Sequence, residues 1–256
     1  MLILRIDIYF LAAIVSPAAL GTYGIALQVV TIVKKVRQSF DPILEPVISQ
    51  TVKHASIQNV GKELSQVSYW IFSIQALIFT LLFFYGEALL GLFNISGHEA
   101  HLALLLLIGA IIIQGSFGLS ELIFLYKKPG INPVLSSVIL IFHAALCYYM
   151  SVNFGIIGAA ASLLISYVIT EIIRLILVKY FFNIFPLEAT MLKPIVMSAL
   201  LFAFLTLLSS LMELQSAAGL LLGIIGGIFV YFLSFLIIAQ KKERFILLKK
   251  LRIKKS

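Results

Sequence analysis

The stretch LALLLLIGAIIIQGSFGLSELIFLYKKPGINP (residues 102–133) decides the fold class of this chain. Its first part, Leu102–Tyr126, is almost entirely apolar and contains a single carboxylate. A helix needs roughly 20 such residues to cross a hydrocarbon core of about 30 Å. Two lysines, two prolines and a glycine follow, and they predict a tight turn before the next apolar run begins. This pattern is typical of a multi-pass, helical membrane protein.

Similar runs lie on both sides of this stretch, and together they predict an all-α transmembrane bundle with about eight membrane helices. Barrel strands are not expected, because they alternate polar and apolar residues over about ten positions and these runs do not. Residues 49–66 are expected to form an interfacial linker between the second and third helices. The predicted segments are Leu2–Ser16, Leu20–Phe40, Val67–Phe93, Leu102–Tyr126, Asn132–Val152, Ile156–Phe181, Pro194–Met212 and Ala217–Ala239.

The composition excludes an ordinary soluble protein. Of the 256 residues, 61% are hydrophobic and only 12% are charged, and the mean hydropathy is +1.10. Soluble domains usually carry about a quarter charged residues. The net charge of +8 does not predict nucleic-acid binding, since the basic residues lie at helix ends and not on a soluble domain.

The basic residues also predict the orientation of the chain. The links around 34–62, 127–128 and 174–193 and the tail 241–256 hold basic residues, whereas the intervening links hold none. Short loops rich in Lys and Arg remain cytoplasmic, so both termini are expected in the cytoplasm. The tail carries eight of the nineteen Lys and Arg residues. It is interpreted either as a topology anchor or as a helix that lies on an anionic leaflet.

The first predicted segment places two charges at membrane depth, Arg5 and Asp7. Its length corresponds to roughly 22 Å of helix, which is short of the bilayer thickness. We therefore expect the chain to be the later part of a longer protein, or the product of a truncated reading frame. Charges at this depth are costly without a partner or a water-filled cavity. Either Arg5 lines a cavity or the two residues form a structural ion pair.

A second set of charges marks the end of the next segment. Lys34, Arg37, Asp41 and Glu45 follow at spacings of three and four, so they share one helix face. One interpretation is that they form a stripe along a substrate cavity. The other is that Arg37 and Asp41 form an ordinary ion pair on a helix end that faces solvent.

Three more charges lie within the later helices. Arg174 is a cavity candidate, and its spacing from Glu171 predicts a pair within one helical turn. Glu121 is interpreted as a proton-coupling group or as the partner of Lys127 or Lys128.

Enzymatic chemistry is not indicated. No glycine-rich phosphate loop and no nucleophile elbow is present, so neither a catalytic residue nor a cofactor is predicted. His98 and His101, with Glu87 and Glu99 nearby, are interpreted as a solvated outer-loop pair, and no metal site is expected. Cys147 is the only cysteine, so it cannot form an intramolecular disulfide and is expected to be a buried packing residue.

Several short motifs together resemble one family of membrane transporters. Residues 5–7 (RID) and 19–26 (ALGTYGIA) resemble its seventh-to-eighth helix hairpin, with an intramembrane Asp and a Leu/Val-Gly-x-Tyr-x-x-Ala turn. Residues 40–49 (FDPILEPVIS) contain its Pro-x-x-Ser element, and 154–160 (FGIIGAA) resembles the entry to its twelfth helix. The turn at 127–129 (KKP) precedes that entry as expected. The chain therefore resembles helices seven to fourteen of the O-antigen and capsule repeat-unit flippases of the multidrug/oligosaccharidyl-lipid/polysaccharide exporter superfamily.

This resemblance implies a domain organisation and a function. Residues 1–192 would form the C-terminal six-helix transport bundle, 193–240 two additional terminal helices, and 241–256 a basic cytoplasmic tail. The implied activity is export of polyprenyl-diphosphate-linked oligosaccharides across the bacterial inner membrane, with Arg5 and the other basic candidates contacting the diphosphate. Guanidinium groups suit that contact because they form bidentate, charge-assisted hydrogen bonds. Implied partners are membrane lipids, the lipid-linked substrate, and a missing N-terminal half or other glycan-assembly membrane proteins.

Three alternatives remain open. The chain is a non-transporting scaffold or half-transporter associated with glycan assembly, a drug/cation antiporter of the same superfamily, or a membrane glycan polymerase or ligase. An antiporter should place unpaired carboxylates in its cavity. A polymerase generally needs a large extracytoplasmic loop, and the predicted outer links are only a few residues long.

Overall fold

The computed structural model describes residues 3–42, 44, 46, 48–49, 57–185, 188–211 and 217–238. The longer elements of this part of the chain are all helices, joined by short turns and two 3₁₀ turns, Gly118–Ser120 and Ala189–Met191. The α-helices are α1 (Ile3–Ile14), α2 (Pro17–Gln38), α3 (Ile57–Gly91), α4 (His98–Phe117), α5 (Glu121–Lys127), α6 (Ile131–Phe182), α7 (Leu192–Leu211) and α8 (Ala217–Ile238).

The helix lengths confirm the predicted all-α, multi-pass membrane class. Six helical segments of the described chain are long and apolar enough to cross a membrane. This count of six is compatible with the eight predicted runs, and two features of the structure explain the difference. The described part of α1 has 12 residues, fewer than the roughly 20 that a bilayer-spanning helix needs. Helix α6, with 52 residues, counts once among the six, although it contains two predicted segments on either side of a kink.

Gly155 divides α6 into two halves, residues 131–154 and 156–182. Its backbone has φ of +55° and ψ of −134°, a conformation that residues other than glycine rarely adopt. The chain therefore bends at Gly155, and each half has about the length needed to cross a bilayer. Gly158 lies just after the bend, where an added Cβ would collide with the carbonyl group of Met150. The glycine at position 158 therefore allows the second half of α6 to approach the end of the first half closely.

The third predicted segment begins earlier than expected, within the second part of the predicted linker over residues 49–66. Helix α3 already begins at Ile57, about ten residues before the predicted start at Val67. Val60 and Leu64 are fully buried, and an added Cβ on Gly61 would lie 2.5 Å from the side chain of Ile184. These early turns belong to the packed interior because their apolar residues recur on the face that meets other helices.

Two apolar clusters form the core of the first compact unit, Met1–Glu188. The first apolar cluster joins α1, α2, α3, α4 and α6, and the second joins Leu44, Ile48, the first half of α3, the α4–α5 junction, α5 and the end of α6. The first cluster includes Leu11, Tyr23, Val30, Val33, Leu104, Leu107, Ile112, Cys147, Leu163 and Tyr167. The second includes Leu44, Ile48, Val60, Leu64, Ile71, Leu119, Leu122, Phe124, Val178 and Ile184.

The second compact unit, Ala189–Ser256, contains α7 and α8, which pack against each other. Met197, Leu201 and Leu205 on α7 are fully buried, and an added Cβ on Gly226 of α8 would lie 3.2 Å from the ring of Phe204. The outer faces of both helices are apolar and exposed, which suits contact with lipid tails.

Candidate functional site

Polar side chains occupy the level between the two apolar clusters. On α6, Tyr167 belongs to the first cluster and Val178 to the second, and Glu171 and Arg174 lie between them. The same change of cluster occurs along α3, at the α4–α5 junction, and between α2 and the residues that follow it. We call this set the polar layer; it consists of Lys34, Arg37, Asp41, Gln75, Ser116, Glu121, Glu171 and Arg174.

Ion pairs join three helices within the polar layer. Nη2 of Arg37 donates a hydrogen bond to Oε1 of Glu121 at 2.7 Å, which links α2 to α5. Nη2 of Arg174 lies 3.6 Å from Oε2 of Glu121, and its Nη1 donates to Oε1 of Glu171 at 2.6 Å. Glu121 therefore bridges two guanidinium groups. The predicted Glu171–Arg174 pair is confirmed.

Glu121 corrects one sequence-based expectation. Its carboxylate contacts Arg37 and Arg174, not Lys127 or Lys128. Lys128 instead places its ammonium group 3.7 Å from the ring centroid of Phe181. Proximity in sequence favoured the lysines, but α5 turns the Glu121 side chain toward the inner helices and away from the exposed turn.

The predicted charged stripe on the second helix is only partly present. Helix α2 ends at Gln38, so Asp41 lies beyond it, yet the Asp41 carboxylate still approaches Nε of Arg37 at 3.8 Å. Lys34 is half-buried. Glu45 lies outside the described residues. Among the described residues of the polar layer, the three basic side chains are equal in number to the three carboxyl groups.

The polar layer is buried on one side and open on the other. The side chains of Arg174 and Glu171 are 7% and 4% exposed, whereas that of Glu121 is 35% exposed. Several buried polar atoms near this level make no hydrogen bond within the described protein. They are Nε of Arg37, Nε of Arg174, Oε2 of Glu171, Oγ of Ser120 and Oδ1 of Asn132. Unsatisfied buried groups are expensive, so this layer retains capacity to bind water or a polar ligand.

Two neighbouring contacts hold the layer in place. An added Cβ on Gly118 would lie 3.1 Å from Oε1 of Glu171, so the glycine allows the α4–α5 junction to approach this carboxylate closely. Gln75 accepts a hydrogen bond from Ser116 at 3.1 Å and donates to the carbonyl of Val33 at 3.4 Å. The layer is therefore tied to α2, α3 and α4 by neutral hydrogen bonds as well as by charges.

A second polar cluster lies within the first apolar cluster. Asp7 is fully buried; it accepts a hydrogen bond from the hydroxyl of Tyr23 at 2.8 Å and lies 2.7 Å from Nε2 of His143. Nδ1 of His143 contacts Oγ of Ser166 at 3.0 Å. The Arg5 side chain lies outside the described part of the structure, so both interpretations of Arg5, as a cavity residue and as the ion-pair partner of Asp7, remain predictions.

The sequence-based interpretation missed the role of His143. Its position within an apolar run carried no local motif, and its partner Asp7 lies 136 positions away in the chain. The one available signal was the spacing of His143 and Cys147, which puts both on the same helix face. Cys147 is fully buried, as predicted.

The predicted solvated pair of outer-loop histidines was partly wrong. Both residues belong to the first turns of α4, because the apolar helix begins at His98 and not at Leu102. His98 is exposed, but Nε2 of His101 contacts the carbonyl of Leu82 at 3.1 Å and its Nδ1 lies 3.6 Å from Glu87. His101 therefore packs against α3.

Comparisons with known protein families, with curated proteins and with solved structures find no match for this chain.

Proposed function

We propose that this protein is a flippase-type transporter, or the C-terminal portion of one, that exports polyprenyl-diphosphate-linked oligosaccharide repeat units across a bacterial cytoplasmic membrane. The observation that supports the proposal most directly is the polar layer. Charged residues buried among membrane helices commonly mark the pathway of a substrate or ion, because burying them is otherwise unfavourable.

The ion pairs of the polar layer suggest how an anionic headgroup is received. A diphosphate competes with Glu121 for Arg37 and Arg174, since guanidinium groups bind phosphate oxygens in the same bidentate manner as carboxylates. Both guanidinium groups retain a buried Nε atom without a hydrogen bond, which gives the headgroup an additional donor on each.

This exchange couples binding to movement of the helices. Displacement of Glu121 breaks the contact between α2 and α5 and the contact between α5 and α6. The headgroup then replaces one set of inter-helix links by another, while the lipid tail remains among the apolar outer faces. Alternating access requires such a substrate-dependent difference between two arrangements of the helices.

The carboxylates of the polar layer argue against a drug/cation antiporter. Asp41, Glu121 and Glu171 each contact an arginine, whereas cation binding calls for carboxylates without such partners. If the protein is instead a scaffold, the polar layer serves only the packing of the helices. Substitution of its residues should then leave sugar export unchanged.

The test replaces Arg37 and Arg174 by alanine at the native locus, so that the protein retains whatever partner it has in the cell. The readout is the accessibility of the lipid-linked sugar to a membrane-impermeant glycan-modifying reagent. We expect both single variants to reduce outward accessibility at least tenfold, and Arg37→Lys to restore it only in part, because an ammonium group lacks the bidentate geometry.

Lys35→Ala provides the matched control. Lys35 lies on the same turn of α2 as Arg37, but its side chain is exposed. This variant should export the sugar like the wild type, and membrane protein levels should be equal in all strains. Unchanged export in an Arg37→Ala, Arg174→Ala double variant would reject the proposed role of the polar layer and favour the scaffold.

A further inference from the structure

Three side chains with metal-binding atoms meet in the first apolar cluster, away from the polar layer. Asp7, His143 and Cys147 are all fully buried, and one ligand atom of each lies within 4.8 Å of those of the other two. Asp7 comes from α1, whereas His143 and Cys147 are four residues apart on the first half of α6. We propose that this trio binds a divalent transition-metal ion, with Zn²⁺ as the best match.

The hydrogen bonds around His143 show which ring nitrogen is available. The hydroxyl of Ser166 donates to the carbonyl of Ser162 at 2.7 Å, so its oxygen must accept from Nδ1–H of His143. Nε2 is then the nitrogen that faces Asp7. A hydrogen bond that fixes one imidazole nitrogen and directs the other toward the ion is the usual arrangement for metal-binding histidines.

Tyr23 orients the carboxylate in a comparable way. Its hydroxyl donates to Oδ2 of Asp7 at 2.8 Å, which leaves Oδ1 directed at His143. The two groups that face each other are therefore both held by a second contact from the surrounding helices. Pre-oriented ligands of this kind reduce the cost of assembling a metal site.

The chemistry of the donor set selects the metal. Zn²⁺ accepts thiolate sulfur, imidazole nitrogen and carboxylate oxygen at about 2.0–2.3 Å, and three protein ligands leave its fourth position open. A carboxylate, a thiolate and a neutral imidazole carry two negative charges, which the dication neutralises. Two protons leave as the ion enters, one from the Asp7–His143 contact and one from the Cys147 thiol. Neutrality is what a fully buried site among apolar side chains requires.

The spacing of Asp7 and His143 requires only a small adjustment, and the Cys147 sulfur lies within 4.8 Å of the ligand atoms of both. Asp7 and His143 are separated by 2.7 Å, whereas tetrahedral ligands at zinc distances stand roughly 3.3 Å apart. The two side chains must therefore separate by about half an ångström. Occupation of the site would cross-link α1 to α6, and this inference does not depend on the proposed transport activity.

The test uses the full chain, purified from cells grown with Co²⁺ as a spectroscopic substitute for Zn²⁺, since the buried site is best loaded during synthesis. We expect about one cobalt ion per chain, because the three ligands form a single site. A thiolate-to-cobalt charge-transfer band should accompany the visible absorption of a tetrahedral ion. Protein from Zn²⁺-supplemented cells should contain a similar amount of zinc and unfold at a higher temperature than metal-free protein.

Cys147→Ser and Asp7→Asn are close in size to the native residues, and each should lower the metal content at least tenfold. The charge-transfer band should disappear in the Cys147→Ser variant. His101→Gln is the control, because His101 also contacts a carboxylate but lies outside the trio. Folded wild-type protein with little bound metal would overturn the proposal, and so would a Cys147→Ser variant that binds cobalt as the wild type does. The wild-type measurement decides the question even where a variant does not fold.

Discussion

Nη2 of Arg37 lies 2.7 Å from Oε1 of Glu121, a residue 84 positions further along the chain. The two partners differ in environment, since the Arg37 side chain is 11% exposed and that of Glu121 is 35% exposed. Fully exposed ion pairs contribute little to stability, whereas removing one partner of a buried pair is strongly destabilising. This pair lies between those limits and holds α2 against α5.

A double-mutant cycle should measure this coupling. Arg37→Gln and Glu121→Gln are each expected to lower the free energy of unfolding, and the double variant should lose less than the sum. We expect an interaction energy of about 1–2 kcal/mol, as for other residues in direct polar contact. Reversible unfolding in mixed detergent micelles provides the measurement.

The control cycle pairs Lys35→Gln with Glu121→Gln. Lys35 is exposed on α2, so its substitution should be additive with that of Glu121. Equal interaction energies in the two cycles would mean that the Arg37–Glu121 contact does not stabilise the folded protein.

The hydroxyl of Tyr23 gives a second prediction. Tyr23→Phe removes the hydrogen bond to Oδ2 of Asp7 and leaves a buried carboxylate oxygen without this donor. Leaving a buried acceptor unsatisfied costs about 1–3 kcal/mol. Thermal unfolding of the purified variant should therefore occur at a clearly lower temperature.

Tyr148→Phe is the matched substitution. Tyr148 is 56% exposed and contacts Phe10 through its ring, which the phenylalanine retains. Its unfolding temperature should stay close to that of the wild type. Equal effects of the two substitutions would contradict a specific role for the Tyr23–Asp7 hydrogen bond.

The sequence was sufficient to predict the fold class because membrane helices are specified locally. Long apolar runs and basic turns are readable without knowledge of tertiary contacts, and the structure confirms an all-helical, multi-pass protein. The fifth and sixth predicted segments end at Val152 and begin at Ile156, and the structure places the bend between them, at Gly155.

The polar contacts were harder to predict because they depend on which helices are neighbours. The Glu171–Arg174 pair lies within one helical turn and was predicted, whereas Glu121 was assigned to nearby lysines. Spacing along a helix gives local pairs only. Contacts such as Asp7 with His143 require the packing of α1 against α6, which no local pattern encodes.

Gly158 provides a third prediction, on the packing at the bend. Gly158→Ala would place a methyl group against the backbone carbonyl of Met150, and a backbone atom cannot move aside as a flexible side chain can. Overpacking of this kind typically costs about 1–3 kcal/mol. The variant should unfold at lower temperature and yield less folded protein from membranes.

Gly24→Ala serves as the comparison. Gly24 lies within α2, and an added Cβ there would meet nothing within 4 Å. Because alanine favours a helix over glycine by up to about 1 kcal/mol, this variant should be neutral or slightly more stable. A Gly158→Ala variant as stable as Gly24→Ala would show that the close approach of the two halves of α6 is not required.

The orientation predicted from the basic turns can be tested with single introduced cysteines. The native Cys147 is the only cysteine and is buried, so an introduced thiol can be labelled without altering it. Ser96 lies in the exposed turn before α4, and Gly130 lies in the exposed turn after α5. Gly130 has an ordinary φ of −69° and open space around an added Cβ, so a cysteine fits there.

A membrane-impermeant maleimide should label Ser96→Cys in intact cells and Gly130→Cys only after the membrane is permeabilised. Positive residues are retained on the cytoplasmic side, and Lys127 and Lys128 adjoin Gly130. The wild-type protein should remain unlabelled in both conditions. Labelling of both variants from outside would mean that the helical segment His98–Lys127 does not cross the membrane. The reverse pattern would mean that the chain is inserted with the opposite orientation, and that the polar layer is reached from the other side.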